Sequence, residues 1–467
     1  MTHTLRTSRR SINKALAALA LWSLPAMTAR AAEAMQGLAE PATDRVDEIE
    51  FADLPSLLAD ARLTYAPGEE GAVGVGDVLR VKREGYAYQI APPAGSDHDL
   101  TTQGGIRLSA IASNGVLECR QMGLKGIGDE TALLQRAVNR AVERHSRFRQ
   151  SQKIHITPVG ITCPPRLDWE FVGPACLEML AHNSGSYQMI RCHLGANDIL
   201  LRRPVCNGRR DLNAATTGEW GMGISLRGCK NITVIDPQTD NCWGDGIYLG
   251  SIGRPEDTDY AVNQNVTIIR PRGNNNRRQG MSIISGADLL VEDSYYTNTN
   301  GSPPQCAIDI EPNNWRDVLH RIRIVRPKSS GNKNAGLMIH LGTAQPPTPS
   351  DIYNISISII DMDSNTGSGT PDGYGLIISG NNDRPNLHGT ISAIRPRIVD
   401  TPSTAILFSR WWLSNIKVLV EMPEIVRAPR PALIGRKKGA ILFDDGRSLD
   451  KGGAIGQVHV VSPTITY

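Results

Sequence analysis

Gly246-Ile247-Tyr248-Leu249, Gly280-Met281-Ser282-Ile283, Ala307-Ile308-Asp309-Ile310 and Gly336-Leu337-Met338-Ile339 are copies of one pattern, a small residue followed by a short alternating strand. Further copies start at Gly375, Ala405 and Ala440, so successive starts fall 27 to 39 residues apart. A second set of short strands alternates with them: Ile232-Thr233-Val234-Ile235, Val266-Thr267-Ile268-Ile269, Ile322-Arg323-Ile324-Val325 and Ile391-Ser392-Ala393-Ile394, with an irregular copy from Ile355 to Ile360. A strand of this length cannot bury its apolar face alone, whereas like strands stacked about 4.8 Å apart can. The repeat predicts an all-β fold, a parallel β-solenoid.

The first strands end in a shared dipeptide, Asp236-Pro237, Arg270-Pro271, Arg326-Pro327 and Arg395-Pro396. Proline has no amide to donate, so it marks a strand end. Stacked corners would line up Arg270, Arg326 and Arg395 as a basic stripe, read either as a surface for an acidic polymer or as arginines solvating a rim.

Outward from the repeat, Asp129 to about Phe148 carries apolar residues at Leu133, Leu134, Ala137, Val138, Ala141 and Val142, the spacing of one helical face, with Asp129 as its N-cap. Residues 61–115 read as a small β module and 32–60 as a linker. Residues 1–31 read as an export signal. Arg9-Arg10 and Lys14 precede a short apolar run, and Ala29-Arg30-Ala31 offers a cleavage site. The paired arginines are similar to a twin-arginine signal, which predicts a periplasmic or secreted protein. The apolar run is shorter than the roughly 20 residues of a membrane span, and no stable membrane anchor is expected.

Across 467 residues, 50 Lys and Arg face 47 Asp and Glu, and the first 31 residues hold five bases and no acid. Without that segment the balance is near −2, which gives no support to nucleic-acid binding. Eight cysteines occupy the middle of the chain without a CxxC pair, so zinc is not expected, and the thiols read either as disulfides or as buried apolar groups. Nucleophile-elbow, phosphate-loop, dinucleotide and His-Glu-x-x-His motifs are absent from the sequence.

The sharpest chemical constellation is Cys306-Ala307-Ile308-Asp309-Ile310-Glu311-Pro312-Asn313. With Ile308 and Ile310 inward, Asp309 and Glu311 face outward together. Two carboxyls on one face raise one another's proton affinity, the arrangement of an acid beside a base or nucleophile. The same pair also reads as a solvated face or as calcium ligands. Stacking sets Ser282 beside Asp309 and His340 beside Glu311, with Tyr248 in the row. The turn Asn241-Cys242-Trp243-Gly244-Asp245-Gly246 adds Asp245 as a third candidate acid. Trp243 and Trp315 are candidates for stacking on sugar rings, and Arg277 and Arg278 for binding substrate carboxylates. Each also has a plain structural reading in packing or in a solvated turn.

Met122-Gly123-Leu124-Lys125-Gly126-Ile127-Gly128-Asp129-Glu130-Thr131, followed by Gln135 and the Ala137/Ala141 helix, resembles the opening segment of the pectate-lyase superfamily domain. The resemblance covers residues 116–467 and implies a right-handed parallel β-helix with an N-terminal capping helix. Gly246 to Gly250 and Ile308 to Asn313 resemble segments of bacterial and phage depolymerases, and residues 51–110 are similar to a module preceding some tailspike β-helices. Such a resemblance implies an enzyme acting on a polysaccharide, by hydrolysis, β-elimination or uronate epimerisation, in a groove along one helix face. Tailspike likeness brings a homotrimer with it. The catalytic sets of polygalacturonases and of true pectate lyases are not assembled here. The expected activity is therefore glycoside hydrolysis by Asp309, Glu311 and Asp245 without a cofactor. A lyase using calcium and the arginines, or a noncatalytic carbohydrate-binding envelope protein, are the alternatives.

Overall fold

The computed structural model describes residues 49–342, 353–365, 373–380, 387–410, 415–428 and 439–467. The export signal and the first part of the linker lie outside the described residues. From Val116 onward the chain winds as a solenoid with three strands to a turn. These form a long sheet of 13 strands, a sheet of 10 and a sheet of 11. The long sheet contains the predicted first strands and the 10-stranded sheet the predicted second strands. Successive rungs pair in parallel and in register, Ile232 with Val266 and Ile247 with Met281, for example, and only the terminal strand Gly453–Ile455 pairs antiparallel among the described residues of these sheets. The all-β solenoid is as predicted.

Its third sheet was not predicted. Strands such as Gln238–Asp240, Arg272–Asn274, Tyr295–Thr297 and Lys328–Ser330 have three residues each, too few for a period to show. The long sheet also takes in Gly286–Glu292, which the repeat reading passed over. Inside, Ile, Leu and Val columns form one continuous core. A fully buried side chain of this kind contributes about 1.5–3 kcal/mol, and each rung supplies several. Buried asparagines close the corners. Asn263 donates to the carbonyls of Leu226, Gly250 and Ser285 at 3.0, 3.1 and 3.2 Å and accepts from the Cys229 amide at 3.2 Å.

The N-terminal end is covered by the helix Thr131–Glu143, whose Leu134, Ala137, Val138 and Ala141 enter the core. It is shorter than predicted. Phe148 belongs to the first rung's strand Arg147–Gln150, and the N-cap position is Glu130, whose carboxylate folds back onto the amides of Lys125 and Gly126 at 2.6 and 2.8 Å. Asp129 instead accepts from the Thr131 amide at 3.0 Å. A five-stranded mixed sheet precedes the solenoid. It begins at Ile49 and includes the short helix Leu54–Leu58, so residues 49–60 belong to the small module and not to the linker.

The basic stripe is corrected too. Arg270, Arg326 and Arg395 occupy a corner column of left-handed residues, but Asp236, Asp293 and Asp361 stand between them in the same conformation, with φ of 50–55°. Each arginine pairs with the aspartate one rung back, at 2.5, 2.6 and 2.7 Å. The column neutralises itself.

All eight cysteines are free, and all but the half-buried Cys176 are buried. Burial pushes the Cys176 thiol up to about 11 and those of Cys206 and Cys306 well up. Buried thiols of this kind are inert. A thiol reagent added to the folded protein is therefore expected to label none of the seven buried cysteines until denaturant is added, and a reductant to leave Tm unchanged. In the interior, Asn263→Leu leaves buried backbone groups unpaired and is expected to cost about 3 kcal/mol or more, read as a lowered thermal midpoint.

Candidate functional site

The 10-stranded sheet presents an outer face whose side chains are themselves covered. In its strands Asp245–Gly250, Gln279–Ile283 and Cys306–Ile310 every residue is buried. Ile247, Leu249, Met281, Ile283, Ile308 and Ile310 fill the solenoid core. Tyr248 and Cys306 belong to separate apolar clusters, and so mark the outer face. Register lines up Tyr248, Ser282, Asp309 and Met338 in one outer row. Asp245 and Gln279 begin a second row beside it.

Between the rows lies a polar cluster built around Arg278. Its Nη1 lies 3.1 Å from Asp245 Oδ2. Its Nη2 is 3.9 Å from Glu311 and its Nε is 3.8 Å from Glu219. Ser282 Oγ donates to Asp245 at 2.9 Å, and Gln279 Nε2 donates to Asp309 Oδ2 at 3.0 Å. Gln279 is fixed in turn by accepting from the Cys306 amide at 2.8 Å. Four carboxyl groups thus surround one guanidinium. Asp245 and Asp309 are fully buried, while Glu311 and Glu219 expose 24% and 37% of their side chains. The buried pair thus lies beneath the surface, and the exposed pair reaches solvent.

Burial pushes the Asp309 carboxyl well above its ordinary 3.8, repulsion from Glu311 adds to it, and Arg278 only partly opposes it. Asp309 Oδ1 accepts from no N–H or hydroxyl donor among the described residues, and the neighbouring Glu311 carboxyl favours a proton there. Burial also raises Asp245, against the pull of Arg278 and Ser282. Arg278 is itself held charged by Asp245, Asp309, Glu219 and Glu311, which outweigh its own burial. Tyr248, pushed up to about 12 by burial, receives a 3.4 Å hydrogen bond from Asn313 Nδ2.

Asp245, Asp309, Glu311, Ser282 and Arg278 therefore meet in one place. Arg278 is engaged by the protein's own carboxylates, so it is not a free ligand for a substrate carboxylate as the sequence reading had it. The guanidinium also fills the space between the acids where a calcium ion would sit. Arg277 turns the other way, its guanidinium 4.2 Å above the Trp243 ring and its Nη1 on the Gly218 carbonyl at 2.7 Å. One face of Trp243 is thus already covered. Trp315 lies in a turn closed by Asp317, which accepts from the Asn313 and Asn314 amides at 2.8 and 3.0 Å and from Tyr260 Oη at 2.7 Å. Those bonds tie the turn to Tyr260 and not to the carboxyl cluster. His340 follows Ile339, the register partner of Ile310, and its ring packs over Gly342, where an added Cβ would lie 2.7 Å from Nε2. Among the described residues it has no hydrogen bond to the carboxylates.

Glu219 and Gln279 escaped the sequence reading. Gly221-Met222-Gly223-Ile224-Ser225-Leu226 is one more copy of the second strand, pairing Ile224 with Ile247, and aligning it would have placed Glu219 one rung above the Asp245 turn. A Cβ on Gly244 would stand 2.1 Å from the Glu219 carbonyl. The absence of a side chain there lets the two turns close on each other.

No protein-family model matches this chain. Among curated proteins it is 26% identical over 275 residues to the uncharacterized protein YclG of Bacillus subtilis, covering 56% of this chain and 42% of the relative. The chain thus spans less than half the length of that relative. Two solved structures share its fold. One is the tailspike gp49 of Acinetobacter baumannii bacteriophage Fri1, a capsular polysaccharide depolymerase, at 12% identity and a TM-score of 0.51, covering 90% of this chain and 75% of that one. The other is the A-module of the mannuronan C-5 epimerase AlgE4 of Azotobacter vinelandii, at 12% identity and a TM-score of 0.50, covering 74% and 95%. The fold is a right-handed parallel β-helix of the type these proteins share.

A carboxyl held protonated in the folded state but ionised in the unfolded chain makes folding less favourable as pH rises above 3.8. Asp309→Asn removes that dependence. The variant is expected to gain Tm over the parent as pH is raised from 4 to 8, and the gap to close at pH 4. A pH-independent gap in paired melting curves would contradict the protonated assignment.

Proposed function

We propose that this protein is an exported polysaccharide-active enzyme whose reaction is glycoside hydrolysis. The observation that carries the reading is the meeting of Asp245, Glu219 and Glu311 on Arg278, with Asp309 buried beside them and pushed toward its acid form by burial and by Glu311. Glycoside hydrolysis needs one carboxylic acid to protonate the leaving oxygen and one carboxylate to act on the opposite side of the scissile bond. Asp309 holds the proton beneath the surface, and the more exposed Glu311 relays that proton to the glycosidic oxygen. Glu219, beside Arg278 Nε, takes the proton of the attacking water. The C–O bond breaks as the water oxygen bonds to the anomeric carbon, and the proton taken by Glu219 balances the one donated. Asp245 and Ser282 are positioning residues, fixing Arg278 between the two exposed acids.

Export rests on residues 1–31 and the resemblance of Arg9-Arg10 to a twin-arginine signal. The polysaccharide reading gains support from the fold shared with a capsular depolymerase and an epimerase module. The catalytic assignment rests on the geometry alone.

Purified mature protein, screened on neutral and uronate-containing polysaccharides, is expected to release reducing ends without the ultraviolet absorbance of unsaturated uronates. Glu311→Gln and Glu219→Gln are each expected to lower that rate by about 10²-fold or more, with Tm unchanged within a few degrees. Absorbance rising with the reducing ends would assign β-elimination instead. Retained binding with no turnover across the panel would assign a carbohydrate-binding role.

A further inference from the structure

Beside the carboxyl cleft, at the corner between the 10-stranded and 11-stranded sheets, lies a cavity of about 580 Å³. Its size falls in the range of small-molecule sites. Asn241, Asn275 and Asn300 form a side-chain ladder along it, each donating to the asparagine of the preceding turn: Asn241 to Asn207 at 3.0 Å, Asn275 to Asn241 at 2.7 Å and Asn300 to Asn275 at 3.2 Å. Arg210 reaches the ladder from the preceding rung. Its Nη1 bonds the Asn300 carbonyl at 2.8 Å and its Nη2 bonds Asn275 Oδ1 at 2.5 Å and Asn300 Oδ1 at 2.9 Å. Arg277 bonds carbonyls and lies on Trp243.

Both guanidiniums are half-buried and hold only neutral acceptors. Arg209 and Asp211 also line the cavity, but they pair with each other at 3.1 Å, as the corner arginines pair with their aspartates, so the lining holds three cations against one carboxylate. Burial and the nearness of Arg277 both work against the charge on Arg210. Two partly desolvated cations without a counter-charge are costly unless an anion completes the site. The cavity adjoins the cleft through consecutive residues: Arg277 precedes Arg278, Gly218 precedes Glu219, and Trp243 stands two residues before Asp245.

We propose that the Arg210, Arg277 and Trp243 cavity is a subsite for a carboxylate-bearing sugar of the polymer, set beside the sugar at the carboxyl cleft. The inference rests on the polysaccharide reading above and adds the substrate class, an acidic polysaccharide. A sugar carboxylate accepts from the remaining N–H groups of the two guanidiniums, Nε and Nη2 of Arg277 foremost, since its bonds to the Gly218 and Trp243 carbonyls use Nη1 alone, and the Asn ladder offers its amides to ring hydroxyls.

The test uses tetrasaccharides of galacturonate, mannuronate and glucuronate, each beside its carboxyl-reduced counterpart, titrated calorimetrically into Glu311→Gln so that nothing is turned over. At least one acidic tetramer is expected to bind about tenfold or more tighter than its reduced form, as a charge-assisted contact warrants. That preference is expected to disappear when Arg210→Gln or Arg277→Gln is added, with the protein still folded by thermal melt. Equal binding of the acidic and reduced forms, no binding of any, or a preference surviving both arginine changes would overturn the subsite. Failure of the subsite with reducing ends still released leaves the hydrolase reading standing. A charge preference in a wild-type protein that turns nothing over leaves the subsite standing and removes the hydrolase.

Discussion

Everything in this protein depends on the parallel, in-register ladder that sets each residue about 4.8 Å above its counterpart in the next rung. The ladder rewards columns of like apolar residues, because each rung buries only what its neighbours cover. It penalises columns of like charge. Two unit charges about 5 Å apart repel by nearly 1 kcal/mol even in bulk water, so a corner column of arginines alone would accumulate that cost at every turn. The corner instead runs Arg203, Asp236, Arg270, Asp293, Arg326, Asp361, Arg395, so the sign alternates along the run and Arg270, Arg326 and Arg395 each pair with the aspartate one rung back.

The outer face of the 10-stranded sheet breaks that rule. Asp245 lies one rung before the strand Gln279–Ile283, Asp309 lies one rung after it with Glu311 just beyond, and Glu219 closes on Arg278 from the turn preceding the Asp245 rung. Arg278 compensates only part of this charge, and the remainder pushes Asp309 toward its protonated form. A solenoid has no structural need for such a cluster, since any apolar residue in those rows would stack at less cost. Local rules are broken in this way at functional sites, and it is the departure, not the fold, that argues for chemistry.

The solenoid was legible because its signal recurs. Seven second strands with one small residue at the start give the same answer repeatedly, and the inward positions of Ile308 and Ile310 follow from alternation. The Ser282–Asp309 pairing came from the same register. What stayed illegible were features that depend on contact between rungs. The aspartates that pair with the arginine column went unnoticed because Asp293 and Asp361 are followed by Ser294 and Met362 and lack the Pro that flags the other corners. Arg277 and Arg278, adjacent in sequence, project to opposite sides of a turn, so their roles diverge in a way that spacing does not reveal. Glu219 sits in a loop before an unaligned copy. The three-residue strands carry no period at all.

The separation of Arg277 from Arg278 also bears on which reaction suits the site. Elimination next to a uronate carboxylate needs a cation at that carboxylate and a base at the adjacent carbon. At the cleft the one guanidinium is already shared among four carboxyl groups, so the local field opposes a second carboxylate at the reacting sugar. The uncommitted cations, Arg210 and Arg277, lie to one side. On the proposed reading, this charge distribution would seat an acidic sugar beside the reacting position and leave the sugar undergoing reaction to an acid and a base. That is the division of labour hydrolysis requires, and it ties the chemistry of the cleft to the charge of its neighbour through two consecutive residues of one turn.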